Sequence, residues 1–165
     1  MTHRFGAPWG KELVLMTAFA SIILLGIPIF GLVKGFSENA PNFILVGIPL
    51  AIFLACVPFM IRGYIVSNGA LFVQRLFWKN KLNLQKLRNV QVNPDAMKKS
   101  IRTFGNGGLF SFSGMFKNSE LGSYRAFATD ANNSVVLRFT DRTIVVTPDR
   151  PNEFASLLQS MLYGD

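Results

Sequence analysis

Two uninterrupted apolar runs open the chain: no charged residue occurs over positions 13–33 or over positions 43–61. An α-helix rises about 1.5 Å per residue, so about 20 residues cross the roughly 30 Å hydrocarbon core of a bilayer. Both runs are expected to be transmembrane helices, at 13–33 and 43–61. A buried helix of a soluble protein is usually shorter and shows a polar side, and a signal peptide has a shorter apolar core with no second run behind it. Pro28, Pro49 and Pro58 fall inside the runs, where neighbouring helices re-satisfy freed carbonyls, so kinks are expected rather than breaks. The connector at 34–42 is short and rich in turn formers, which predicts an antiparallel hairpin.

From Gly63 the texture changes to short β-rich runs broken by turn residues. Residues 64–67 and 70–76 flank Asn68-Gly69, which supplies the positive φ angles of a tight hairpin turn. Further strands are expected at 81–84 and at 89–93, where Val90 and Val92 share a face and Pro94 ends the run. Positions 102–116 mix four glycines with four phenylalanines and read as an ordered loop followed by a short strand. Strands at 124–129, 134–140 and 143–147 complete a meander. In the middle one, Val135, Leu137 and Phe139 alternate with Val136, Arg138 and Thr140, the pattern of a half-buried strand. Pro151 suits a helix start, and Phe154, Leu157, Leu158, Met161 and Leu162 form one apolar stripe behind it. The expected fold class is therefore α+β: a two-helix transmembrane hairpin, then about seven strands as a bent sheet or small barrel capped by a C-terminal helix. The corresponding units are an N-terminal tail at 1–12, the hairpin at 13–61 and one domain at 62–165.

Charge then fixes orientation. The 165 residues hold 17 Lys+Arg against 9 Asp+Glu, a net charge of +8. Nine basic residues and one acidic residue, Asp95, fall within 62–102, whereas 103–165 holds five basic and six acidic. Arg4 and Lys11 precede the first run and Arg62 and Arg75 follow the second, while Lys34 in the connector is balanced by Glu38. Basic flanks favour the cytoplasm, so both termini are expected there with the connector outside. Cys56 falls within the second run as a packing residue, and a lone cysteine forms no disulfide within one chain.

Candidate chemistry is sparse. His3, the only histidine, falls in the expected tail, which gives no support to histidine-based acid/base catalysis or to a Cys/His zinc site. Carboxylates such as Asp95, Asp130 and Asp141 fall at turns, where they serve the backbone. The run Gly105-Asn-Gly-Gly108 has neither the Gly-Lys-Ser/Thr ending of a phosphate loop nor a third glycine at 110, which is Phe. No catalytic residue, metal ligand or cofactor site is expected. Phe72, Phe77, Trp78, Phe104 and Phe110 sit in strand-like contexts that favour packing over base stacking, so nucleic acid is not an expected partner. The site hypothesis is an anion-contacting patch of Lys79, Lys81, Lys98, Lys99 and Arg102, facing lipid phosphate. The same lysines read equally as a solvated face that keeps a small β domain soluble. Each Lys or Arg near an anionic leaflet contributes about 1 kcal/mol, within a Debye length of about 8 Å.

Several strings resemble the bacterial pleckstrin-homology-like (PH-like) domains found behind membrane helices. They are Tyr64, Ile65 and Val66 with Gly69, Ala70 and Leu71; the stretch 102–108 with Gly114, Met115 and Phe116; 121–124; and the ending at 146–154. The resemblance covers about 63–162. It implies a seven-stranded sheet with a C-terminal helix, and a recognition or assembly module without catalysis at the bacterial inner (plasma) membrane. The expected function is protein interaction or self-assembly at the inner leaflet, with the basic face on anionic lipid. The alternative is an accessory subunit or sensor of a larger membrane complex, with the hairpin as its partner-binding element.

Overall fold

The computed structural model describes residues 2–37 and 43–163. The first apolar run forms helix α1 (Lys11–Ser37) and the second forms helix α2 (Phe43–Cys56). Within α1, the stretch Lys11–Lys34 has a mean hydropathy of 2.5 and is long and apolar enough to cross a membrane. Its side chains point outward: Leu15, Phe19, Ile22, Phe30 and Val33 are 65–72 % exposed. α2 packs against α1, and a methyl group built on Gly31 would lie 3.1 Å from Leu45, so the glycine permits close approach.

The second run departs from expectation. The α-helix stops at Cys56, a 3-10 turn takes Val57–Phe59, and Ile61 already belongs to a strand. Pro58 lies in that 3-10 turn: without an N–H and with a ring that crowds the preceding turn, it ends the α pattern where a kink was expected. The apolar stretch Ile44–Phe59 is shorter than a span, about 24 Å at the helical rise, so a second full crossing over 43–61 is not met by helix length. Residues 38–42 of the expected connector lie outside the described residues.

The first residues, expected as a tail, form strand β1 (Thr2–Gly6), antiparallel to β2 (Ile61–Ser67) with His3 opposite Val66 and Gly6 opposite Gly63. Phe5 fastens it, buried with its ring edge-on to Phe154 at 5.0 Å. The chain thus leaves the domain for α1 and returns from α2 at adjacent points.

Strands β3 (Ala70–Arg75) and β4 (Lys79–Asn83) complete a four-stranded sheet in the order β1-β2-β3-β4. Asn68 and Gly69 both have positive φ, as a two-residue hairpin turn of this hand requires. The second sheet contains β5 (Leu87–Val92), β6 (Ile101–Gly107), β7 (Phe112–Asn118), β8 (Gly122–Ala128), β9 (Val135–Phe139) and β10 (Thr143–Val146), in the order β5-β9-β10-β8-β7-β6. Helix α3 (Pro151–Tyr163) follows. Among the described residues there are ten strands in two open sheets, nine of them from β2 onward, where about seven in one bent sheet or small barrel were expected.

Positions 102–116, expected as a loop and one strand, hold most of the β6–β7 hairpin. Gly105 and Gly114 face each other across it with φ of 101° and 151°. A side chain on either would run into the opposing backbone, so glycine is what lets these strands approach.

The main core lies between the sheets and α3 and includes Tyr64, Val73, Phe127, Leu137, Ile144, Phe154 and Leu158. A second cluster, with Tyr124, Ala126, Val136 and Val145, occupies the other face of the six-stranded sheet beneath Ala96 and Leu121. The start of β9 is consequently buried on both faces, Val136 as fully as Val135, while Arg138 stays exposed. The alternation expected of a half-buried strand holds at Leu137, Arg138 and Phe139 but not at Val136, which the 94–99 segment covers, held by Asn118 donating to the Ala96 carbonyl at 2.9 Å.

Candidate functional site

The helices are joined to the domain by more than chain continuity. The Gly10 N–H donates to the Thr129 carbonyl at 2.9 Å, and Leu13 is fully buried. One turn further along α1, the Thr17 hydroxyl donates to the Gly108 carbonyl at 2.9 Å and accepts from the Phe110 N–H at 3.1 Å. Phe110 takes a left-handed conformation, φ 66°, a state that costs a non-glycine residue about 1 kcal/mol or more. Its ring lies 6.3 Å from Trp9, ahead of α1, and 5.5 Å from Phe53 of α2. The β6–β7 loop is thereby a wedge that touches both helices.

Beside this wedge, at the end of α2, is a cavity of about 730 Å³. Its floor follows from register. Phe104, Met115 and Arg125 align across β6, β7 and β8, as do Asn106, Ser113 and Phe127, so alternation sends both rows to one face. Its wall is Cys56, Phe59 and Arg75. The side chain of Arg75 is held on all sides. Nε donates to Asn80 Oδ1 at 2.7 Å, one terminal nitrogen to the Phe59 carbonyl at 2.5 Å and the other to Ser113 Oγ at 3.0 Å. The Ser111 hydroxyl joins it on the Phe59 carbonyl at 3.0 Å, so the turn that ends the second helical run is tied to both sheets.

Arg75 is 6 % exposed and no carboxylate pairs with it among the described residues. Burial, then repulsion from Arg125, lowers its affinity for the proton, against a smaller opposing effect of Tyr64; a guanidinium stays charged regardless. Arg75 and Arg125 lie over the ring of Phe127, at 5.5 Å and 4.9 Å from its centroid. Arg102 stands on the rim, donating to the Gly105 carbonyl at 3.2 Å, and also borders a second cavity of about 500 Å³ against Leu15, Met16 and Phe19 of α1. Behind the site Tyr64 donates to the Phe127 carbonyl at 2.6 Å, and burial pushes its hydroxyl up to about 12.

Of the five residues expected to form the anion patch, only Arg102 borders these cavities. Lys79 and Lys81 are exposed on β4, where alternation turns them away from the inward Asn80 and Leu82. Lys98 and Lys99 precede β6 on a different sheet, and Lys98 is paired with Asp95 at 2.7 Å. Counting charge along the chain missed Arg75 and Arg125. Strand parity carried the signal: Arg75 shares a face with Leu71 and Val73, both buried. Among the described residues, no group of His, Cys, Asp and Glu is arranged to hold a metal ion.

Residues 62–162 match the family described as bacterial PH domain. The match takes in β2 to α3 and leaves out β1 and both N-terminal helices. No curated protein and no solved structure matches the chain.

Proposed function

This chain belongs to the bacterial PH domain family, and on that footing we propose that it is a non-catalytic interaction module anchored in the inner membrane by its helical hairpin, with both termini cytoplasmic. The observation that carries the proposal is the pairing of β1 with β2. Because the strands on either side of the helices are hydrogen-bonded neighbours, a chain that crosses the bilayer through α1 must also come back. The bare apolar surface of α1 supports the crossing, since so large an exposed patch is untenable in water. The shortness of α2 is accommodated by an aromatic edge at its end, where Phe59, Phe77, Trp78 and Phe104 are all exposed and suit the interfacial zone. Arg62, Lys79 and Lys81, close in sequence to that edge, face the anionic leaflet. The unpaired edge of β6, with Ile101 73 % and Phe104 77 % exposed, offers backbone groups to a protein partner or a second copy.

A second reading, an accessory subunit whose hairpin binds other membrane helices, is favoured by the length of α2, since a short helix is better completed within a bundle. Purification from the native membrane in mild detergent separates the two. A homo-oligomer, or a soluble partner lost on mutation of β6, supports the first; a stoichiometric membrane partner retained without the domain supports the second. A chain released from membranes by alkaline carbonate would overturn both.

A further inference from the structure

The cavity at the end of α2 combines features that single out one class of ligand. Three arginines line it, Arg75, Arg102 and Arg125, and no carboxylate does. All three bonds from the buried Arg75 end on neutral acceptors, and the neighbouring charge is the like charge of Arg125. Buried cations are ordinarily paired, because removal from water is costly without a counter-ion. The remaining lining is mainly apolar, with Cys56, Phe59, Leu109 and Met115 among it. The volume, about 730 Å³, falls within the usual range of small-molecule sites, about 300–1,000 Å³. Three arginines together with apolar surface beside a membrane helix match an anionic amphiphile.

We propose that this cavity holds a single acidic phospholipid, its phosphate among the guanidiniums of Arg75, Arg102 and Arg125 and its acyl chains leaving past Cys56 and Phe104. The inference rests on the membrane-anchored reading above and names a ligand for the junction between hairpin and domain. Planar guanidinium forks suit phosphate oxygens, and the ring of Phe127 beneath two of them keeps water from that side. The site differs in kind from the exposed lysines. Lys79, Lys81, Lys98 and Lys99 border no part of it and give diffuse attraction to any negative surface. The cavity discriminates: a zwitterionic headgroup would bring its own cation among three arginines.

The test uses the full chain, purified in detergent and stripped of lipid. It is titrated with phosphatidylglycerol, phosphatidylcholine or inorganic phosphate, followed by thermal unfolding and by mass spectrometry of the intact complex. One phosphatidylglycerol per chain is expected, raising the unfolding temperature, with little effect of the other two. Arg102→Gln with Arg125→Gln, which leaves the bonds of Arg75 intact, should weaken phosphatidylglycerol binding about tenfold or more. Lys98→Gln with Lys99→Gln should leave it unchanged. Equal binding of both lipids, equal binding by the arginine variant, or the same stabilisation by inorganic phosphate alone would each overturn the assignment. Carbonate extraction of the cell membranes from which each chain is purified separates this failure from that of the anchor: a chain retained in the membrane but indifferent to headgroup sinks the cavity proposal alone, whereas release of the wild-type chain sinks both.

Discussion

Arg75 stands where strand alternation reserves a place for an aliphatic side chain, and Thr17 stands in the middle of an otherwise apolar helix surface; both are polar because each ties the helices to the domain. Replacing Thr17 by valine keeps the shape but leaves the Gly108 carbonyl and the Phe110 N–H without the partner they have at 2.9 and 3.1 Å. A loss of about 1–3 kcal/mol is expected in detergent unfolding, together with faster proteolysis at 108–110. Tyr64 gives a pH dependence with a definite sign. Its hydroxyl ionises near 10 in the unfolded chain and at about 12 in the folded one. The stabilisation is fully present below pH 10 and is lost as pH rises through 10 to 12, by up to about 2–3 kcal/mol. Tyr64→Phe, compared with wild type in alkaline unfolding curves, should lack that share of the decline. Tyr64 was legible in the sequence as a strand residue. The role of Arg75 was not read, because a count of basic residues weighs a buried arginine and an exposed lysine alike, whereas its parity with Leu71 and Val73 distinguishes them.

Among the elements, those with strong local signals emerged as expected: the Asn68-Gly69 hairpin, the α3 stripe with Phe154 and Leu158 buried, and the N-terminal helix. Three others did not, each for a physical reason. β1 has one large apolar residue, Phe5, in five positions, too few to reveal a strand that forms only once β2 is beside it. The end of α2 is set by Pro58 together with the demand of β2 for Ile61, a tertiary requirement. The β6–β7 hairpin was hidden because glycines that read as loop permit a close strand approach. Gly114→Ala at φ 151° is therefore expected to destabilise the hairpin by on the order of 1–3 kcal/mol. Hydrogen exchange should show protection lost first in β6 and β7, and an unchanged exchange pattern would contradict this account of the glycines. β9 shows the converse: its alternation was read correctly from the chain, with Arg138 exposed between Leu137 and Phe139, but the 94–99 segment also buries Val136 on the outer face.

At the scale of the whole molecule, the N-terminal strand, the two helices and the PH-like domain form one connected body. β1 completes the sheet that β2 begins, the β6–β7 loop reaches both helices, and Arg75 ties the end of the second helical run to both sheets. Of the nine basic residues counted along 62–102, Arg75 alone is buried, at the junction, and the others, including the lysines on β4 and ahead of β6, are exposed. The pairing of β1 with β2 puts the strand preceding α1 and the one following α2 on one side of any bilayer the helices enter, because hydrogen-bonded neighbours cannot lie on opposite sides; that this side is the cytoplasm is the proposal made from the basic flanks. The most direct test is labelling of single-cysteine variants with a membrane-impermeant thiol reagent, in intact and in permeabilised cells. Cys56→Ala supplies the background, Thr2→Cys marks β1 and Ser156→Cys marks the exposed side of α3. Both cysteines should be unreactive in intact cells and reactive after permeabilisation; labelling of either in intact cells would contradict the cytoplasmic, doubly returned topology.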